Sequence, residues 1–191
     1  MLIDLTLALP EDSPAFRKAR PDWALPSVAG HIGTHLDTLL HRPIPLDWMD
    51  REAVLIDVRN AGDDVGLEAI EDVEIRKGDF VLFRTGQIER HAYGADEYFA
   101  HHPQLDWPLV EHLIGLGVSF IGIDAMGLRR GRPDHEKVDL YCETHGAWVI
   151  ENLANLGDPR LIAAGRFAVR LAWFVHGGMT GIPVKVVAAV S

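Results

Sequence analysis

The sequence is organised around the stretch Lys77-Gly78-Asp79-Phe80-Val81-Leu82-Phe83, in which turn-forming residues precede an apolar run. Glycine and aspartate favour turns, and four apolar residues after them are typical of a short buried strand. The pattern recurs on both sides: residues 54–58 come before it, and residues 118–123 come after a helix-like stretch that begins at Trp107 and can end at Gly117. We therefore predict buried strands with helices between them.

The two ends of the chain carry further patterns of the same kind. A helix is predicted over residues 136–144, and strands are predicted over residues 1–10, 148–150, 167–175 and 182–190. Strand-rich segments with a few interposed helices and no linker predict one mixed α/β domain over residues 1–191. The patterns leave the strand order open.

Composition narrows the range of functions. The formal net charge is -10, so we expect no nucleic-acid partner, because phosphate binding needs a basic surface. The single cysteine, Cys142, excludes a thiolate-rich zinc site, so metal ligands would be imidazole and carboxylate groups, which suit zinc, manganese or iron. We see neither a signal segment nor a membrane span in the sequence and expect a soluble, cytoplasmic protein with no membrane partner.

The most informative segment is His31-Ile-Gly-Thr-His35-Leu-Asp37-Thr-Leu-Leu-His41. In an extended chain alternate side chains share a face, so His31, His35, Asp37 and His41 would point the same way, and Gly33 would leave space between the histidines. His31, His35 and Asp37 could then bind one divalent ion. If the segment were helical, Asp37 would swing away from the histidines. A solvated surface loop is the simplest alternative.

These residues resemble the cyclase family of metal-dependent hydrolases, whose best-known members are bacterial kynurenine formamidases. The family pattern His-x-Gly-Thr-His-x-Asp-x-Pro-x-His is matched except at Leu39, where the family has proline. The similarity extends along most of the chain. It includes Asp4-Leu5-Thr6, Lys77-Gly78-Asp79, Arg84-Thr85-Gly86, Ile121-Gly122-Ile123-Asp124, Val149-Ile150-Glu151-Asn152-Leu153 and Gly181-Ile182-Pro183-Val184.

The resemblance implies roles for individual residues. The positions of His31, His35 and Asp37 bind metal in the family, often with the aspartate bridging two ions. The position of His41 is the general acid/base, and that of Glu151 completes the metal site.

One further family ligand is replaced in this chain. The family has a histidine twelve residues before the glutamate, and Asp139 stands there in this sequence. A carboxylate can still bind metal, but the second site could be weaker, different or empty. His135 lies one helical turn earlier and could substitute for the histidine or support the ligands around it.

The resemblance also implies a fold and a reaction. The fold would be a compact α/β domain with a β-barrel-like centre flanked by helices, assembled as a homodimer or larger homo-oligomer. The reaction would be attack of metal-bound hydroxide on a small amide or formamide, with N-formylkynurenine, an intermediate of tryptophan catabolism, as the reference substrate. One or two divalent ions are expected, with zinc preferred and manganese as the alternative. Two alternative functions remain open. One is a catalytically silent protein that binds a metal or a small ligand, and the other is a purely structural domain.

Several remaining residues have ordinary interpretations. Asp124 follows an apolar run, where a structural hydrogen-bonding role is at least as well supported as a functional one. His101 and His102 precede a proline in a polar loop and are predicted on the surface. Trp23 and Trp48 flank the histidine motif and could line an aromatic pocket or belong to the core.

Overall fold

Strands and helices alternate through most of the chain. The computed structural model describes residues 1–7, 30–173 and 179–190. Its strands are β1 (Leu2–Asp4), β2 (His35–Asp37), β3 (Asp50–Asp57), β4 (Asp64–Val65), β5 (Phe80–Arg84), β6 (Gln104–Leu105), β7 (Phe120–Ile123), β8 (Trp148–Glu151), β9 (Arg166–Trp173) and β10 (Gly181–Ala189). Its α-helices are α1 (Gln87–Arg90), α2 (Asp96–Ala100), α3 (Trp107–Leu116), α4 (Arg132–Thr144) and α5 (Pro159–Ala164).

Seven of the described strands close into a barrel. The parallel neighbours β3, β5, β7 and β8 form one half. Antiparallel pairings then run from β8 to β2, from β2 to β10, from β10 to β9 and from β9 back to β3. The ring leaves no open edge, and β1 lies against the end of β10. The β-barrel-like centre implied by the family resemblance is therefore confirmed, as is the mixed α/β class predicted from the residue patterns.

Both faces of the parallel strands are buried, which explains their unbroken apolar sequences. Phe80 and Leu82 of β5 belong to the core enclosed by the barrel strands. Val81 and Phe83, which alternate with them, pack into a second core with α3 and α4. A strand covered on both sides needs no polar face, so the period-two signal disappears.

The parallel strands all end at the same rim of the barrel. Their carboxyl ends carry Asp57, Arg84, Asp124 and Glu151, at or one residue beyond the last strand residue. Helix α4 packs beside β8 and begins four residues before the predicted start, since Pro133 fits its first turn. This rim is the part of the fold that collects polar side chains.

Three sequence predictions fall partly or wholly on residues outside the described ranges. The predicted strand 1–10 corresponds to β1, and its last residues lie outside the described ranges. The same is true of the end of the predicted strand 167–175 and of Trp23. No helix in the described ranges is both long and apolar enough to cross a membrane.

Candidate metal centre

Strand β2 places two of the predicted ligands at the rim of the barrel. His35 and Asp37 are next neighbours on one side of this short strand, and both are buried. β2 lies between β10 and β8, and His35 is directly opposite Glu151 of β8. The sheet register therefore brings a histidine, an aspartate and a glutamate together from residues more than 100 positions apart.

His31 reaches the same place by a turn of the chain, not by strand alternation. Gly33 has φ +72°, which reverses the backbone before β2 begins. The ring of His31 then packs edge-on against that of His35, with ring centres 4.9 Å apart. The prediction of one extended face is wrong outside β2, although the two rings do meet.

The three side chains form a compact triangle of ligand atoms. His31 Nδ1 is 3.2 Å from His35 Nε2 and 3.3 Å from Asp37 Oδ1, and His35 Nε2 is 3.5 Å from that same oxygen. Ligands of a tetrahedral ion with bonds of ~2.0–2.1 Å lie about 3.3–3.4 Å from one another. The triangle thus has the dimensions of one face of a tetrahedral zinc site.

The second nitrogen of each ring is held by the protein. His35 Nδ1 donates to the carbonyl oxygen of Gly33 at 2.9 Å. His31 Nε2 lies 2.9 Å from Thr180 Oγ1. Such contacts orient a metal-binding imidazole and leave its other nitrogen for the ion. Both rings are therefore set to present a lone pair toward Asp37.

Helix α4 contributes a second group beside the first. His135 and Asp139, one turn apart, face Glu151 and Asp37, and a ligand atom from each of the four lies within 4.8 Å of the others. His135 Nε2 is 3.3 Å from Asp139 Oδ2 and 3.4 Å from Glu151 Oε1. Asp37 belongs to both groups. All five ligands anticipated from the sequence, and His135 as well, therefore meet at one place.

Among the residues that the structure describes, three buried carboxylate oxygens in these groups have no hydrogen-bond donor. They are Asp37 Oδ2, Asp139 Oδ1 and Glu151 Oε1. Within the described residues, the ion pairs of these carboxylates are all to histidines. Buried acceptors are normally satisfied, so this cluster has the donor chemistry of a cation site. The residues present fit a divalent metal.

Without a cation, the carboxyl groups disturb one another. Burial raises the pKa of Asp139 and of Glu151 well above the usual carboxyl range, and the negative charge of Asp37 adds to both effects. Burial acts on Asp37 too, but the charge of His35 and hydrogen bonds from both histidines outweigh it and hold the pKa of Asp37 below its usual range. Like charges in one dry site have this effect, and a cation would remove it.

A cavity of about 330 Å³ opens onto both groups. Its volume is in the range of small-molecule sites. Leu39 and Thr180 form part of its wall, and so do Arg132 and Glu136 of α4, whose side chains are exposed.

His41 lies outside both groups. It is exposed and has φ +53°, directly after the bend at Leu39 and Leu40 that follows β2. Glu143 of α4 shapes this turn: its carboxylate accepts hydrogen bonds from Thr38 Oγ1 at 2.7 Å and from the backbone N–H groups of Leu39 at 2.6 Å, Leu40 at 2.8 Å and Arg42 at 3.0 Å. The family pattern has proline at position 39, and proline has no N–H to donate. The hydrogen bond from Leu39 to Glu143 therefore depends on the departure of this chain from the family pattern.

Other side chains support the centre from a distance. Asn152, directly after β8, donates from Nδ2 to the carbonyl of Gly33 and accepts at Oδ1 from the Tyr98 hydroxyl. His102 is buried, against prediction, and contacts the carbonyl of Gly127; burial lowers its pKa to about 4. Asp124 accepts three hydrogen bonds from Thr85 and Gly86, which is the structural role anticipated for it.

Trp48 packs against the barrel core, in edge-on contact with Phe120 and Trp148. Of the two interpretations that the sequence allows for Trp48, the structure therefore supports the one that places it with the core. Cys142 is buried in α4, and burial raises the pKa of its thiol. His145 follows the same helix and is exposed. None of the three contributes to the two groups.

Comparison with known proteins identifies the family of this chain. Residues 3–129 match the model of the family described as "Putative cyclase", so the chain belongs to the cyclase family. No curated protein was found to match the sequence. Solved structures provide the remaining comparisons.

Three of these structures share the fold over nearly the whole chain. A "potential metal-dependent hydrolase with cyclase activity" has a TM-score of 0.76 at 23% identity, covering 98% of this chain and 96% of its own. The "predicted metal-dependent hydrolase" of Bacillus stearothermophilus has 0.73 at 24%, with 98% and 97% covered. Isatin hydrolase A of Ralstonia solanacearum has 0.78 at 20%, with 100% and 92% covered. At these identities the matches show a common fold.

We predict that Glu143→Gln destabilises the protein. The amide can accept at only one of the two atoms that now receive hydrogen bonds, and its NH₂ group would face backbone donors. The expected loss in free energy of unfolding is about 1–3 kcal/mol, measured by urea denaturation. Glu136→Gln on the same helix removes an exposed pair with Arg132 and should change stability by less than ~0.5 kcal/mol. Equal effects of the two substitutions would contradict the role of Glu143.

We also predict that Asp139→Asn stabilises the metal-free protein, and increasingly so as the pH rises. Because the pKa of Asp139 is raised on folding, its contribution to stability is complete below the ordinary value of 3.8 and is lost as the pH rises through the folded pKa. Asparagine has no such loss. Urea unfolding of chelated protein at about pH 4 and about pH 8 measures the difference. The exposed Asp134→Asn is the control, and a gap between Asp139→Asn and wild type that shrinks with pH would refute the prediction.

Proposed function

We propose that this chain is a metal-dependent hydrolase that cleaves the amide bond of a small formamide or cyclic amide. The observation that carries the proposal is the triangle of His31 Nδ1, His35 Nε2 and Asp37 Oδ1, whose sides of 3.2–3.5 Å suit a divalent transition metal. Zinc is the first expectation and manganese the second. The cavity beside the triangle is of a size for a small substrate.

The similar structures support the same reaction class. Two of the proteins are described as metal-dependent hydrolases, and a third is an isatin hydrolase. Isatin contains a cyclic amide. A cyclic amide and a formamide are hydrolysed by the same reaction, because in both cases water adds to the carbonyl carbon and the nitrogen departs.

A divalent cation held in such a site would polarise a carbonyl group and lower the pKa of water to about 7. The protein would hold it through the two imidazoles, whose outer nitrogens are fixed by Gly33 and Thr180. Leu39 and Thr180 would confine the substrate in the cavity.

His41 is the residue proposed to move the proton. An imidazole can accept a proton from water and return it to a departing nitrogen near neutral pH. Its exposed position leaves the ring accessible to solvent, on the turn that Glu143 holds directly after Asp37. The alternative, a metal-binding protein without activity, is favoured by this same exposure and by the replacement of proline by Leu39.

Reconstitution separates the two functions. Chelated protein, reloaded with zinc or manganese, is assayed with N-formylkynurenine, other N-formyl aromatic amines and isatin. We expect turnover that the chelator abolishes and the metal restores. His35→Ala should lose metal and turnover together. His41→Ala should keep its metal and lose about 10²–10⁴-fold in rate.

The matched control is His145→Ala, which changes an exposed histidine at the end of α4 and should alter neither metal content nor rate. Full activity of His41→Ala would show that another group moves the proton. A metal-loaded protein that turns over none of these formamides and does not open isatin would be the binding protein.

A further inference from the structure

The turn between His31 and His35 is held at both polar backbone atoms of Gly33. Gly33, whose φ of +72° reverses the chain, donates its N–H to the Tyr93 hydroxyl at 2.9 Å. Its carbonyl oxygen accepts from Asn152 Nδ2 at 3.0 Å and from His35 Nδ1 at 2.9 Å. A carbonyl oxygen has two lone pairs, so both donors can be satisfied at once. The backbone that brings the two histidines together is therefore fixed by side chains that are not ligands.

A buried tyrosine orients the amide of Asn152. The Tyr98 hydroxyl, on α2, donates to Asn152 Oδ1 at 2.5 Å, and the two residues are 0% and 2% exposed. The acceptor at the other end decides the direction of this hydrogen bond. Because the Gly33 carbonyl needs a donor, the amide NH₂ faces Gly33, and the amide oxygen is left to accept from the hydroxyl. The amide therefore has one orientation, with both ends engaged.

We propose that Tyr98 and Asn152 are positioning residues for the two histidine ligands, which they hold in place through the carbonyl group of Gly33. The inference rests on the proposed function, because it takes His31 and His35 as ligands of the metal. Tyr98 and Asn152 act on the ion only through these ligands. Their effect reaches His35 through its Nδ1 contact with the Gly33 carbonyl, and it reaches His31 through the backbone of the turn.

The same contacts decide which nitrogen of His35 carries the proton. His35 Nδ1 lies 2.9 Å from the Gly33 carbonyl oxygen, an acceptor, so the proton of the neutral ring is on Nδ1 and the lone pair is on Nε2. Asn152 Nδ2, 3.4 Å from Nδ1, is itself a donor. If the carbonyl moved away, Nδ1 would face only this donor. The proton would then be favoured on Nε2, where it competes with a metal.

The backbone of Asn152 is tied down independently of its amide. Its N–H donates to the carbonyl of Ala125 at 3.1 Å, and its carbonyl accepts from Thr34 Oγ1 at 2.8 Å. Its φ of +56° lies in the left-handed region, which asparagine tolerates and glycine adopts readily. Asn152→Gly therefore keeps the backbone conformation and removes the amide. Tyr98→Phe likewise removes only a hydroxyl and keeps the ring, which packs edge-on against Tyr93.

Metal affinity tests the proposal without any assay of activity. Chelated wild-type protein and variants are titrated with zinc in competition with a coloured chelator, and then with Co²⁺, whose visible absorption reports the geometry of its ligands. We expect Tyr98→Phe and Asn152→Gly to bind zinc about 10–100-fold more weakly than wild type. Their Co²⁺ spectra should differ from that of wild type, a change that a loss of overall stability alone would not produce.

The chain offers a matched control for each substitution. Asn155 has φ +59°, close to that of Asn152, and its amide donates to the carbonyl of Asp4 in β1. Asn155→Gly therefore removes an amide from the same backbone conformation. Tyr141 of α4 packs its ring against Trp107, and Tyr141→Phe removes a hydroxyl outside the contacts of Gly33. Both controls should keep the zinc affinity and the Co²⁺ spectrum of wild type.

The possible failures are distinguishable. Zinc affinities of Tyr98→Phe and Asn152→Gly equal to that of wild type would overturn the positioning role and leave the proposed function standing. Equal losses of affinity in the variants and their controls would overturn it too, because the effect would then not pass through Gly33. Tight zinc binding by wild type without any hydrolysis would overturn the proposed function alone. A wild-type chain that binds no zinc would overturn both.

Discussion

Three carboxylates buried at one end of a β-barrel are the constraint on which the site depends. Asp37, Asp139 and Glu151 lie within a few ångströms of one another, and each has an oxygen that no donor in the described chain satisfies. Buried like charges destabilise a fold unless something of opposite charge joins them. Within the described part of the chain, the ion pairs of these carboxylates are to histidines, and an imidazole that binds a metal is neutral and compensates none of their charge. A divalent cation resolves the conflict and also gives the site its chemistry.

The strand order of the barrel brings these groups together. The parallel strands end at one rim, where β8 delivers Glu151. The antiparallel insertion of β2 between β8 and β10 places His35 opposite it. Helix α4 then adds one stripe of side chains at four-residue spacing: His135 and Asp139 face the cluster, and Glu143 ties down the turn beyond Asp37. Strand register and helical period, which are both properties of the backbone, thus determine the geometry of the ligands.

Much of this could be predicted because it is local in the sequence. Apolar runs such as that of Phe80 to Phe83 identify buried strands, and the spacing of His31, His35 and Asp37 indicates a metal site. What failed depends on contacts distant in the chain. No local pattern places His102 in the interior against Gly127. Sequence analysis identifies His135 and Asp139, which lie one helical turn apart on α4. It cannot identify the contact of Glu143, one turn further on, with the backbone of residues 39–42, because those residues lie about 100 positions earlier in the chain.

The direct test of the metal site is a crystal structure of the zinc-reconstituted protein with anomalous diffraction recorded at the zinc edge. We predict a peak bounded by His31 Nδ1, His35 Nε2 and Asp37 Oδ1, with bonds of ~2.0–2.2 Å. A map without a peak at that position, with the two imidazoles turned apart and the Asp37 carboxylate hydrogen-bonded to water, would contradict the metal site.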